Sequence, residues 1–171
     1  MDSDGYLSQL ADIFNGITVN TPSISAIIAI VLAGVLLLAS GFASASEIAF
    51  FSLTPSDRND IDEQNHPSDE KISALLGDSE RLLATILITN NFVNVTIIML
   101  CNFFFMNVFV FHSPLAEFLI LTVILTFLLL LFGEIMPKIY SAQKTLAFCR
   151  FSAPGIYFCL LYTSPSPRDR T

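Results

Sequence analysis

Three short constellations put oxygen ligands inside otherwise apolar sequence. Ser40 and Ser44 stand four apart in Ala39-Ser40-Gly41-Phe42-Ala43-Ser44-Ala45-Ser46-Glu47, so a helix carries both hydroxyls on one face. Asn90 and Asn94 repeat that spacing in Thr89-Asn90-Asn91-Phe92-Val93-Asn94. The third constellation is Phe132-Gly133-Glu134-Ile135-Met136-Pro137-Lys138. Proline has no N–H, so in an α-helix Pro137 leaves the Gly133 carbonyl without its donor, beside the Glu134 carboxylate. Two hydroxyls, two amides, a carboxylate and a carbonyl make an all-oxygen set, which suits a hard divalent cation, Mg²⁺ first and Mn²⁺ or Ca²⁺ after it. Soft ligands are missing from it. His66 and His112 fall in a loop and a turn, and Cys101, Cys149 and Cys159 follow no metal or redox spacing, so zinc and copper are poorly served. Mg²⁺ sheds water reluctantly, and a set with a single sure carboxylate would hold it loosely enough to let it go.

Each constellation also has a plainer reading. The serine stretch is a small-residue face on which another helix can pack, with hydroxyls bonding back to the helix's own carbonyls. The asparagines can glue helices together by hydrogen bonds. Glu47 and Glu134 weigh against packing alone, because an acid in hydrocarbon costs at least about 2.5–3.5 kcal/mol and is retained for a function.

Helices in a bilayer must position these residues. The chain has 171 residues, is 53% hydrophobic and only 13% charged, and has a mean hydropathy of +0.66. Soluble domains carry about 25% charged residues. The net charge of −7 excludes a nucleic-acid binder. Three runs are long enough to span, at about 24–53, 82–111 and 115–140, after a polar N-terminal segment 1–23. Residues 1–23 and the 112–114 turn hold no Lys or Arg. Arg58, Lys71, Arg81, Lys138, Lys144 and Arg150 all fall on one side of a three-helix crossing, which sets the N-terminus outside and the C-terminus inside. No cleaved signal peptide is expected, because 1–23 lacks a basic n-region. The loop 54–81 is acidic and cytoplasmic in this reading, a solvated face without the pattern of a calcium hand. A fourth run, 146–161, is short and interrupted by Ser152-Ala153-Pro154-Gly155, so it is expected to be a juxtamembrane or re-entrant segment. The predicted fold is an all-α membrane protein of three transmembrane helices plus that short segment.

Taken together, Ser44-Ala45-Ser46-Glu47-Ile48-Ala49, Asn90-x-x-x-Asn94 and Gly133-Glu134-Ile135-Met136-Pro137-Lys138 resemble the transmembrane domain of the cyclin M/CorC family of magnesium transporters over roughly 24–150. The Gly-Glu-Ile-x-Pro-Lys box is the most specific element. The Phe-rich second span and acidic N-terminus are similar to the gliding-motility-associated bacterial branch. The resemblance implies a homodimer of three-helix protomers in a bacterial inner membrane. It implies Mg²⁺ held by Ser40, Ser44, Asn90, Asn94, Gly133 and Glu134, with Na⁺ as a coupling ion. Thr89 departs from the pattern, since many relatives have Gly there. Such proteins continue into cytoplasmic cystathionine-synthase-type modules, which are not encoded here. Cys159 to Asp169 reads as one frame of a transposase sequencing adapter, so residues 159–171 are expected to be an artefact and 24–158 the natural membrane domain.

The leading functional expectation is therefore a divalent-cation transport domain. The alternative is a membrane assembly or regulatory module that moves no ion. An intramembrane enzyme is disfavoured, for no His-Glu-x-x-His motif and no Ser/His pair at depth is present.

Overall fold

The computed structural model describes residues 3–163 and is nearly all helical. Seven helices and two short strands follow one another among the described residues: α1 (Ser3–Asn15), β1 (Ile17–Val19), α2 (Ile24–Phe51), α3 (Pro55–Asp62), α4 (Asp69–Gly77), α5 (Ser79–Val108), β2 (Phe109–Phe111), α6 (Pro114–Gln143) and α7 (Thr145–Thr163). Polar residues set the boundaries. Ser23 caps α2 by accepting the Ala26 N–H, and Asp78 caps α5 by accepting the Arg81 N–H. Thr54 and Asp57 close a reciprocal capping box on α3, with Pro55 in its first turn. The Thr54 hydroxyl and N–H hold the Asp57 carboxyl below its ordinary value.

Segments Ile24–Phe51, Ser79–Val108, Pro114–Gln143 and Thr145–Tyr162 are long and apolar enough to cross a bilayer. Their outward surfaces are what lipid requires: Leu38 is 77% exposed and Phe92 74%. The inner seam packs Ala33 of α2 against Ile97 and Cys101 of α5, with Leu125 and Leu129 of α6 alongside. Cys101 thus serves as a small buried hydrophobe. A second core lies where α2 ends: Phe50 and Leu53 meet Ile61, Ile72 and Leu75 of α3 and α4, Leu82 of α5, and Cys149, Ala153 and Ile156 of α7. Part of the acidic loop is therefore folded into the bundle's base.

The structure departs from the expectations in four ways. The second span ends at Val108, not at Phe111, because Phe109–Phe111 pairs antiparallel with Ile17–Val19. β-branched and aromatic residues on both strands favour that pairing. The N-terminal segment is thereby strapped to the α5–α6 turn, reinforced by Ser23 Oγ donating to Asn107 Oδ1 and by a His112–Gly16 carbonyl contact. The fourth run is one continuous helix through Pro154, for Ser152, Ala153 and Ile156 are buried around the proline and hold the turn together. Finally, α6 is not regular. It is π-helical over Ile120–Ile124 and again over Leu129–Ile135. Of the segment expected to be an artefact, Cys159–Thr163 continue α7, and 164–171 lie outside the described residues.

Candidate functional site

Ser40 is fully buried on the face of α2 that meets α5 and α6. Its Oγ lies 2.9 Å from Asn90 Oδ1 and 2.5 Å from Asn94 Oδ1, both on α5. Asn94 Nδ2 in turn donates, at 3.5 Å, to Glu134 Oε1 on α6. That contact turns the Asn94 amide oxygen toward Ser40. Three helices thus converge through one polar chain, Asn90–Ser40–Asn94–Glu134. A hydroxyl carries one proton, so it can donate to only one of the two amide oxygens at a time. The cluster thus gathers a hydroxyl, two amides and a carboxylate from three helices.

Glycine makes the approach possible. A Cβ on Gly133 would stand 3.3 Å from Ser40 Oγ and 3.4 Å from Leu37 Cδ1. One residue along α2, a Cβ on Gly41 would be 3.0 Å from Pro137 Cγ and 3.4 Å from the Phe132 carbonyl oxygen. α2 and α6 approach closely at these two positions, as small residues allow in membranes.

The π register of α6 changes what Pro137 does. The Met136 N–H bonds the Leu131 carbonyl, five residues back. Continuing that register, the donor missing at Pro137 belongs to the Phe132 carbonyl, whereas a regular α-helix would have left Gly133's. Gly133 itself is buried against Ser40.

Ser44, one turn below Ser40, is also fully buried, and its Oγ has no hydrogen-bond partner. Leaving a buried hydroxyl unpaired costs about 1–3 kcal/mol, and such groups call for a ligand or a water. Of the six residues singled out from the sequence, five therefore touch one another, and Ser44 stands apart with its oxygen unused. Glu47 does not join them: it pairs with Lys138 at 3.5 Å. Among the described residues no three His, Cys, Asp or Glu side chains assemble into a metal cluster, so any cation here meets neutral oxygens and one carboxylate.

The sequence reading missed a second polar feature. Asp69, at the start of α4, is fully buried and takes a bidentate pair from Arg150 of α7, Nε to Oδ1 at 2.9 Å and Nη2 to Oδ2 at 3.0 Å. Burial pushes the Asp69 carboxyl up, but the Arg150 bonds and the His66 N–H outweigh it and leave it below the ordinary value. Nothing in the acidic loop distinguishes Asp69 from its seven acidic neighbours by type or spacing. Only the Arg150 partner, 81 residues away, does so.

A bundle of long apolar helices, held at its centre by a polar chain across three of them, defines a multi-pass membrane protein. The chain belongs to the cyclin M family: the model of the cyclin M transmembrane N-terminal domain matches residues 28–167. That match contains all three constellations. A comparison with curated proteins finds no match.

Proposed function

We propose that this chain is the membrane domain of a divalent-cation transporter, with Mg²⁺ as the cargo. The observation that carries the reading is the convergence of Ser40, Asn90, Asn94 and Glu134 from three helices on one buried polar cluster, with the unpartnered Ser44 hydroxyl one turn along α2. A cation entering there would meet these oxygens together. Glu134 contributes the formal charge. Ser40, Ser44, Asn90 and Asn94 contribute neutral oxygens in place of part of the hydration shell, and Gly133, whose carbonyl the π register does not free, contributes the space a side chain would fill beside Ser40. No covalent chemistry is assigned to the site.

In this reading three helices, α2, α5 and α6, cross the membrane with the N-terminus outside, in a bacterial inner membrane. α7 lies along the cytoplasmic face, since its Arg150 is tied to the loop residue Asp69 and it packs on α4 and on the ends of α2 and α5 that bound the loop. Two protomers associate through exposed apolar surface, and an inward Na⁺ gradient drives efflux. The test is Mg²⁺ flux from liposomes carrying the full chain. Glu134→Ala and Asn94→Ala should each abolish it, and unchanged flux in both would overturn the assignment.

A second reading is favoured by the same bonds: Ser40 with Asn90 and Asn94 is also how interhelical glue is built. For a non-transporting assembly module, these substitutions would lower thermal stability while Mg²⁺ left the melting temperature unmoved.

A further inference from the structure

Outside the polar chain, an apolar groove of about 470 Å³ follows the seam between α2 and α6. Leu37, Gly41 and Phe42 wall it on one side and Phe132, Pro137 and Tyr140 on the other. Its floor is the close approach of Gly41 to Pro137. At the α6–α7 break a second cleft of about 270 Å³ adjoins the groove, sharing Tyr140 and Phe148 with it and adding Lys144 and Phe151. The Phe42 ring, 6.1 Å from both Phe148 and Phe151, forms the corner between the two.

The charges at this end are uneven. Lys138 is taken by Glu47 and Arg150 by Asp69. Lys144 is exposed, and no acidic side chain of the described residues pairs with it. The two adjoining clefts therefore offer an apolar length set within segments that can cross a bilayer and, in the second, Tyr140 and one uncompensated ammonium. An acyl chain matches the first part. A phosphate with no cation of its own matches the second. A zwitterionic headgroup would bring its own ammonium against Lys144.

We propose that this groove holds one anionic phospholipid, its acyl chain between α2 and α6 and its phosphate on Lys144. Basic pockets between membrane helices recognise such headgroups, and each lysine near the surface adds about 1 kcal/mol of attraction, roughly a fivefold preference. A second copy of the chain or a zwitterionic lipid would fill the same seam without using Lys144.

The chain has no Trp, so a single introduced one reports on its surroundings. Tyr140→Trp places the reporter in the groove. Ile139→Trp places it at the neighbouring position, which is 57% exposed and lines neither cleft. Each full-length variant is reconstituted in phosphatidylcholine vesicles containing brominated phosphatidylglycerol or brominated phosphatidylcholine, and the quenching constants are compared. The expected result is about a fivefold preference for phosphatidylglycerol at position 140, a ratio near one at position 139, loss of the preference with Lys144→Glu, and its retention with Lys144→Arg. Equal ratios at 139 and 140, or a preference that survives Lys144→Glu, overturn the proposal. So does a Trp at 140 that neither lipid quenches, which would mean that protein covers the groove. Should a Lys144 variant lose its helix content, the comparison of 139 with 140 in the parent background decides alone.

Discussion

Ser40 has one proton and two amide oxygens within reach of it, and most of what the site can do follows from that count. Glu134→Gln keeps the shape of the side chain and removes its charge. Mg²⁺ flux is expected to fall by about ten- to hundredfold, the range seen when groups that tune a metal site are lost. Ser40→Ala removes the shared proton and should lower flux as well, with a fall in melting temperature as both amides lose their partner. Asp69 gives a different test. Removing one partner of a buried pair costs about 3–5 kcal/mol, so Asp69→Asn should lower the melting temperature clearly near neutral pH. The Asp69 carboxyl sits below its ordinary 3.8 in the folded chain, so its contribution is full above that value and is lost as pH falls through the folded one. Melting curves of parent and Asp69→Asn should therefore converge on acidification below 3.8. A gap that persists at acid pH would mean the pair adds nothing through its charge.

Helices and their contacts explain why these side chains meet. Gly41 and Gly133 let α2 and α6 touch, and Pro137 fills the space that Gly41 leaves. Gly41→Val would force a side chain against Pro137 Cγ at 3.0 Å, and overpacking of this kind costs about 1–3 kcal/mol. Gly34, seven residues earlier on α2, has nothing within 4 Å of a new Cβ. Gly34→Ala should leave the melting temperature unchanged or raise it, and only Gly41→Val should lower it along with Mg²⁺ flux. The existence of the long helices was legible from their apolar runs. Their ends were less so: β2 takes three residues from the end of the second run because residues 17–19 offer a pairing partner, a contact about ninety positions away that no local window contains. The π turns of α6 were not legible either, for Leu and Ile runs are compatible with either register.

For the bundle as a whole, orientation is the property to test. In a chain whose native cysteines are replaced, Tyr6→Cys should react with an impermeant maleimide from the outer side only, and Asn65→Cys from the cytoplasmic side only. Phe158→Cys on α7 should react from the cytoplasmic side if that helix lies on the surface. Labelling of position 158 from outside would give a fourth crossing instead. Composition, the basic residues and three oxygen-bearing segments were enough to define a membrane protein with a polar island, because hydropathy and charge placement act along the chain and need no knowledge of neighbours. The identity of five of the six island residues as mutual contacts follows from helical spacing only once the faces are known to meet. Which oxygen shares which proton, that Ser44 is left unpaired, that Glu47 is spent on Lys138, and that one acid among many is locked to Arg150 came only from the folded chain. Those outcomes depend on the rotation and separation of packed helices, and many sequence-compatible rotations bury the same apolar area while bringing different polar atoms within about 3 Å, the scale on which a hydrogen bond is made or lost.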